Sequence, residues 1–222
     1  LAREGANLVV NARSNREEAA EVAEEIRALG VKALPLLADI GDRAQLEPML
    51  EQALAEFGGI DIVVNNASRR PQQPFVDMSY DEWRDILAMN LDAAFFCAKA
   101  ALPGMLERGW GRIINITGEM SYIGRPGWAH VGASKMGVLG FARSLSKELA
   151  PQGVLVNCVS PGLIDTSRDS GTPMPPGRAQ NIPVGRLGYS DDIASLCVFL
   201  CTEAAGFISG QTFHVNGGER SF

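Results

Sequence analysis

Several short stretches of the chain carry residue types that could do chemistry. Asn65-Asn66-Ala67-Ser68 ends an apolar run with small polar residues. At the carboxyl end of a parallel strand such residues let a ligand approach the backbone, though they also suit an ordinary polar turn. Asp39, in Ala38-Asp39-Ile40, sets a carboxylate at the end of another apolar run. It can accept a hydrogen bond from an exocyclic amine such as adenine's, or simply open the next helix. Arg13 follows Asn11-Ala12. A dinucleotide site selecting NAD places an acid at such a strand end for the ribose 2′-hydroxyl, whereas a guanidinium suits a 2′-phosphate. Ala12 offers no acid and Arg13 offers the cation. Lys135, in Gly132-Ala133-Ser134-Lys135, falls about one helical turn beyond Val131. A cation early in a helix is mildly disfavoured by the dipole, so it is either solvated or placed for a ligand. Finally, Ser160-Pro161-Gly162-Leu163-Ile164-Asp165-Thr166 reads as a tight turn that brings backbone next to a ligand.

The elements that must position these residues alternate. Strands are expected near residues 7–12, 33–38, 60–65, 112–117, 154–159 and 212–215, with Pro35 an awkward residue inside the second. Ser14 and Glu17 make a capping box for a first helix, with Ala19, Val22, Ala23, Ile26 and Leu29 as its apolar stripe and Gly30 as its stop. Further helices are expected from Asp42 to Phe57, from Ser79 to about Arg108 with a break near Pro103-Gly104, from Gly132 to Leu149 and from Asp191 to Leu200. Strands alternating with helices of this length predict a parallel sheet covered on both faces, in one α/β domain spanning residues 1–222. The irregular Pro/Gly/Ser-rich stretch from about 166 to 186 is expected to be a lid or binding loop.

Composition narrows the function classes. The chain has 222 residues, 46% hydrophobic and 21% charged, with a net charge of −6. Disorder and coiled coil are disfavoured. No basic patch of the kind nucleic acid needs stands out, and no membrane span is read in the sequence. Two histidines, His130 and His214, leave a multi-histidine metal site without ligands. Cys97, Cys158, Cys197 and Cys201 fit neither a zinc ribbon nor a C-x-x-C redox site. Cys197 and Cys201, four residues apart in an apolar helical segment, read as two buried thiols on one face, and a reducing, cytoplasmic setting is expected.

In this order and spacing the motifs resemble the short-chain dehydrogenase/reductase family, over about Leu1 to Gly218. Asn65-Asn66-Ala67 resembles N-N-A-G with Ser68 in place of Gly. Asn90, in Met89-Asn90-Leu91, resembles the helix asparagine of the active-site tetrad, and Lys135 the lysine of Y-x-A-S-K. Pro161-Gly162 with Ile164 and Thr166 resembles the segment that follows the nicotinamide. Pro183-Val184-Gly185-Arg186-Leu187-Gly188 and the Ser209-to-Gly218 stretch resemble the family's C-terminal pattern. The likeness is nearest to 3-oxoacyl-carrier-protein-reductase-like members and to sugar- or steroid-dehydrogenase-like ones.

The resemblance implies a Rossmann-like, doubly wound three-layer sheet and hydride transfer between a nicotinamide cofactor and a small carbonyl or alcohol substrate. The cofactor contacts it implies are Arg13, Asp39, Ile40, Asn65, Ala67, Lys135, Pro161, Gly162, Ile164 and Thr166, with NADP(H) expected over NAD(H). It further implies a homotetramer or homodimer, with the helices 79–108 and 132–149 and the last strand at the interfaces.

Three departures qualify that expectation. Leu1-Ala2-Arg3-Glu4-Gly5-Ala6 looks like the end of a first helix. The family's first strand and its glycine-rich phosphate turn are not found before it, and dinucleotide binding is expected to be weakened or absent if the chain starts at Leu1. The missing strand would leave a central gap that must be filled or closed. The tetrad tyrosine position is Val131 and the tetrad serine position is Gly118, so catalysis is expected to be impaired. Tyr122 and His130 are possible substitutes; otherwise Tyr122 packs and His130 caps its helix. A catalytically inactive binding or oligomer-forming subunit is one alternative. A remote one is a serine-dependent hydrolase using Ser144 and Lys147 as an S-x-x-K pair, although no G-x-S-x-G elbow supports it.

Overall fold

The computed structural model describes residues 1–166 and 177–222, so most of the first half of the expected 166–186 loop lies outside the described residues. One 3-10 turn, Ala2–Glu4, ends at Gly5 in the left-handed region and leads into β1, Leu8–Ala12. Helix α1 spans Arg16–Arg27. Its cap is Asn15 with Glu18, one residue later than the expected Ser14–Glu17 box. The asparagine amide explains the shift: it accepts from the Glu18 N–H and also donates to the Glu18 carboxylate, two bonds from one side chain.

β2, Ala33–Leu37, lies parallel to β1 with Pro35 opposite Val10. It pairs on one side only, which is where a strand tolerates a residue without an N–H. Asp42 caps α2, Arg43–Phe57, as expected, and Gly58 at φ 73° stops it. β3, Ile62–Asn65, follows.

The long helical stretch is broken, but not at Pro103-Gly104. A Ser79–Glu82 capping box starts α3, Tyr80–Leu87. A π-turn over Ala88–Asp92 then connects to α4, Ala93–Arg108, which runs through Pro103. Buried Ala98, Ala101 and Met105 seat α4 in a core cluster with Val63 and Ile113, and this packing outweighs the hydrogen bond that proline forfeits. The stretch Tyr80–Arg108 is long and apolar enough to cross a membrane by length and composition. Here it is interrupted by the π-turn and covers the sheet.

β4, Gly111–Ile116, is followed by a short α5, Met120–Ile123, and by α6, Ala129–Leu149, which begins three residues before the expected Gly132. β5, Val154–Pro161, leads to the two-residue strands β6, Ile164–Asp165, and β7, Gly188–Tyr189. Helix α7, Ser190–Cys201, and β8, Thr212–Val215, complete the described elements.

Every strand pairing among the described residues is parallel, including 62–65 with 112–115, in agreement with the expected three-layer α/β arrangement. Among the described residues the expected gap is neither filled nor closed. The main sheet is split into a pair, β1-β2, and a four-stranded piece, β3-β4-β5-β8. β1 and β3 leave their free edges toward the cavity described below, where Leu8 and Val64 form part of the wall. α6 and α4 pack on one face of the four-stranded piece, and α7 with Ile114, Ile116 and Val159 forms the other core.

Candidate active site

A cavity of about 1380 Å³ opens at the carboxyl ends of β3, β4 and β5, where ligands sit in open parallel sheets. Ala67, Gly118, Val131, Lys135, Pro161, Gly162, Ile164 and Thr166 all line it. Asn65, Ile40 and Asn90 line a much smaller adjoining space, again with Lys135 and Ala67.

Each of these residues is placed by local structure. The π-turn sends Asn90 inward, 5% exposed. Its Oδ1 accepts from the Arg69 N–H at 3.0 Å, and its Nδ2 donates to the Arg69 carbonyl at 3.0 Å and to Ser134 Oγ at 3.1 Å. One side chain thus ties the loop after β3 to α6. The Asn65 amide bridges to Asn115 Oδ1 at 2.8 Å and joins the ends of β3 and β4. The turn after β5 is locked to β8: Gly162 N–H donates to the Val215 carbonyl, and a Cβ at Gly162 would meet Asn216 at 2.6 Å. Only glycine fits there.

Lys135 is 4% exposed and its Nζ donates to the Ile116 carbonyl at 2.7 Å. Burial, and then the Arg70 guanidinium, pull its pKa down to about 8 against a smaller opposing effect of Cys158. Val131, one helical turn earlier, is 1% exposed. Gly118 has open space: a Cβ there would meet nothing within 4 Å. The neighbouring Thr117 hydroxyl is spent on the Val159 carbonyl.

Arg13, Asp39, Tyr122 and His130, also singled out from sequence, line neither the cavity nor the adjoining space. Arg13 is exposed at the end of β1. Asp39 turns its carboxylate onto the Gly41 N–H at 2.9 Å, a turn-forming role. Tyr122 packs against His214 and Phe222, with ring centroids 5.0 and 4.8 Å away, and burial raises its pKa. His130 is 1% exposed but does not cap α6, whose N-cap is Trp128 without a side-chain bond. Burial lowers its pKa, and the charged group near it is Glu82 on α3.

Sequence reasoning missed Arg70 and Glu119. Both line the cavity. Glu119 is 2% exposed, accepts from Asn216 Nδ2 at 3.3 Å and sits 3.6 Å from Arg220 Nε. Burial raises its carboxyl pKa. The available signal was a charge directly after an apolar strand end, in Thr117-Gly118-Glu119.

Comparison with known proteins agrees with this architecture. The family model described as enoyl-(acyl carrier protein) reductase matches residues 1–219. The chain belongs to the short-chain dehydrogenase/reductase family of oxidoreductases. It is 37% identical over 220 residues to the 3-oxoacyl-[acyl-carrier-protein] reductase FabG of Staphylococcus aureus, covering 98% of this chain and 89% of that one. The Haemophilus influenzae FabG is 42% identical over 199 residues, covering 88% and 82%. Among solved structures, the acetoin dehydrogenase of Enterobacter cloacae superposes with a TM-score of 0.90 at 34% identity, covering 98% of this chain and 87% of that one.

Proposed function

We propose that the chain transfers hydride between NADP(H) and a small carbonyl or alcohol substrate in the cytoplasm, at a rate held down by Gly118 and Val131. The observation that carries the reading is the convergence of Lys135, Ala67 and the Pro161–Thr166 turn on one cavity at the strand ends. The residues present fit a nicotinamide nucleotide. Lys135 spends one of its three N–H donors on Ile116, and Arg13 is a free-standing exposed cation among the described residues. Lys135, Pro161, Gly162, Ile164 and Thr166 would hold the nicotinamide end. Asn65, Ala67, Ile40 and Asp39 would lie along the nucleoside, and Arg13 would meet the 2′-phosphate. When bound, the group supplies the hydride; the chain orients the substrate and manages a proton. We read residues 1–222 as one domain, assembled as a homotetramer or homodimer in which half-exposed Phe95 on α4 finds cover.

Titration of nucleotide fluorescence tests the reading. NADPH should bind more tightly than NADH, and Arg13→Ala should weaken NADPH by about tenfold while sparing NADH, the scale of one exposed charge-assisted contact. Equal loss for both removes the NADP assignment. A second reading, a subunit that binds without turnover, is favoured by the lack of a hydroxyl at residues 118 and 131, and a ketone and alcohol panel separates the two. For a hydrolase the structure offers little: Ser144 and Lys147 are exposed on α6, outside the cavity wall.

A further inference from the structure

Among the described residues, the cavity wall contains the ionisable side chains Arg70, Glu119, Arg125, Lys135, Arg178, Cys197 and Glu219, and no tyrosine or histidine; burial pushes the Cys197 thiol up to about 11. Arginine does not release a proton at working pH. Glu219 and Glu119 stand with Arg220 in one cluster, and Glu119 is further engaged by Asn216. Lys135 is different. It is buried, it lines both the large cavity and the small one, and one carbonyl holds its Nζ at the end of β4. That anchor, Ile116, is two residues before Gly118, where a Cβ would meet nothing within 4 Å. Val131 stands one turn away on the same helix and lines the same cavity with an apolar side chain that offers no proton.

We propose that Lys135 itself donates the proton to the substrate oxygen, entering directly through the space that Gly118 and Val131 leave open. The inference rests on the oxidoreductase reading above. In reduction the carbonyl carbon gains a hydride from the reduced nicotinamide. The C=O π pair passes to oxygen, and oxygen takes a proton from the Lys135 ammonium. The amine that remains regains its proton from water, and the nicotinamide ends oxidised. A donor of this kind works best with a pKa near the working pH, and burial with Arg70 brings Lys135 to about 8. The titratable groups facing it are Arg70 from the loop after β3 and Cys158 on β5, with Glu119 after β4 in the same wall. The segment that carries Asn90 contributes no charge at this point.

The test has two arms on the full chain. Without nucleotide, heteronuclear NMR of 15N-lysine-labelled protein should show an Nζ titration near pH 8 that vanishes in Lys135→Met. A midpoint above 10 overturns the proposal. With saturating NADPH and a ketone substrate, reduction should fall above pH ~8 and alcohol oxidation should rise through the same midpoint. Lys135→Met and Lys135→Arg should each lose about 10²–10⁴-fold in turnover, the size of a lost general acid. Rescue by Lys135→Arg would reduce the lysine to a positive charge and overturn donation. So would binding of NADPH without any turnover. Loss of turnover in Glu119→Gln with Lys135→Met still active would move the proton to Glu119. Failure of NADPH to bind the unmodified chain sinks the oxidoreductase reading instead, and is seen separately in the fluorescence titration.

Discussion

The two ends of the cavity are built from the same helix and the same sheet, yet they differ in how much polarity they keep. At the Lys135–Asn90 end, buried polar groups are pinned by hydrogen bonds to Ile116, Arg69 and Ser134. At the Gly118–Val131 end there is an apolar side chain and open space. Folding alone does not account for the first end. A buried ammonium costs stability, and a hydrophobic residue of similar volume is often the more stable choice. The contrast teaches that buried polarity in this cavity is concentrated at one end, and that it is kept there at a cost in stability.

The largest expected effect comes from making the two ends alike. Val131→Tyr with Gly118→Ser supplies an acid and a hydroxyl at the bare end, and carbonyl reduction measured as NADPH consumption should rise by about 10²-fold or more. No rise with NADPH binding intact would mean that the end has lost its geometry as well as its chemistry.

Removing the charge from the polar end comes next. Lys135 has a pKa lowered from 10.5 to about 8 by folding. Between those values the folded chain binds fewer protons than the unfolded one, so stability carried by this group rises with pH across the window. The cost is fully present below about pH 8. Its size is about 3 kcal/mol, from roughly 1.4 kcal/mol per pKa unit. Lys135→Met should therefore be more stable than the unmodified chain at pH 7 by up to ~3 kcal/mol, less the lost bond to Ile116, in urea unfolding. The advantage should fade by pH ~10.5. An advantage that does not change with pH would place it in packing rather than charge.

How much of this was legible in the sequence depends on the range of the forces involved. Strand positions followed from apolar runs, and caps such as Asp42 from local chemistry, because both are decided within a few residues. The π-turn over Ala88–Asp92 was not legible: nothing in Ala88-Met89-Asn90-Leu91-Asp92 distinguishes it from plain helix, while Pro103 falsely advertised a break. The shift from Ser14 to Asn15 turned on two caps of nearly equal strength. The gap between β1 and β3 was legible from the resemblance, but that it would stay open between the described strands was not. Asn90, Lys135 and the Pro161–Thr166 turn were found from spacing and resemblance. Glu119 and Arg70 were not, because only the assembled fold shows which charges beside a strand end face the cavity.

The smallest expected effects sharpen the comparison most cleanly, because they set one small truncation against one small addition across the same cavity. Asn90→Ala removes three hydrogen bonds and strands the Arg69 N–H and carbonyl in a partly buried loop. Leaving such groups unpaired costs about 1–3 kcal/mol, read as a lowered urea midpoint. Gly118→Ala should do almost nothing. The glycine does not sit at positive φ, so alanine meets no backbone strain, and its methyl meets no atom within 4 Å. With no clash and little new burial, the change should stay within about 0.5 kcal/mol, and the lower backbone entropy of the unfolded alanine chain favours the stabilising side. If Gly118→Ala instead cost as much as Asn90→Ala, the space beside residue 118 would be occupied in solution. The Gly118–Val131 end would then be closed rather than open to a substrate, and Lys135 would have no oxygen to meet.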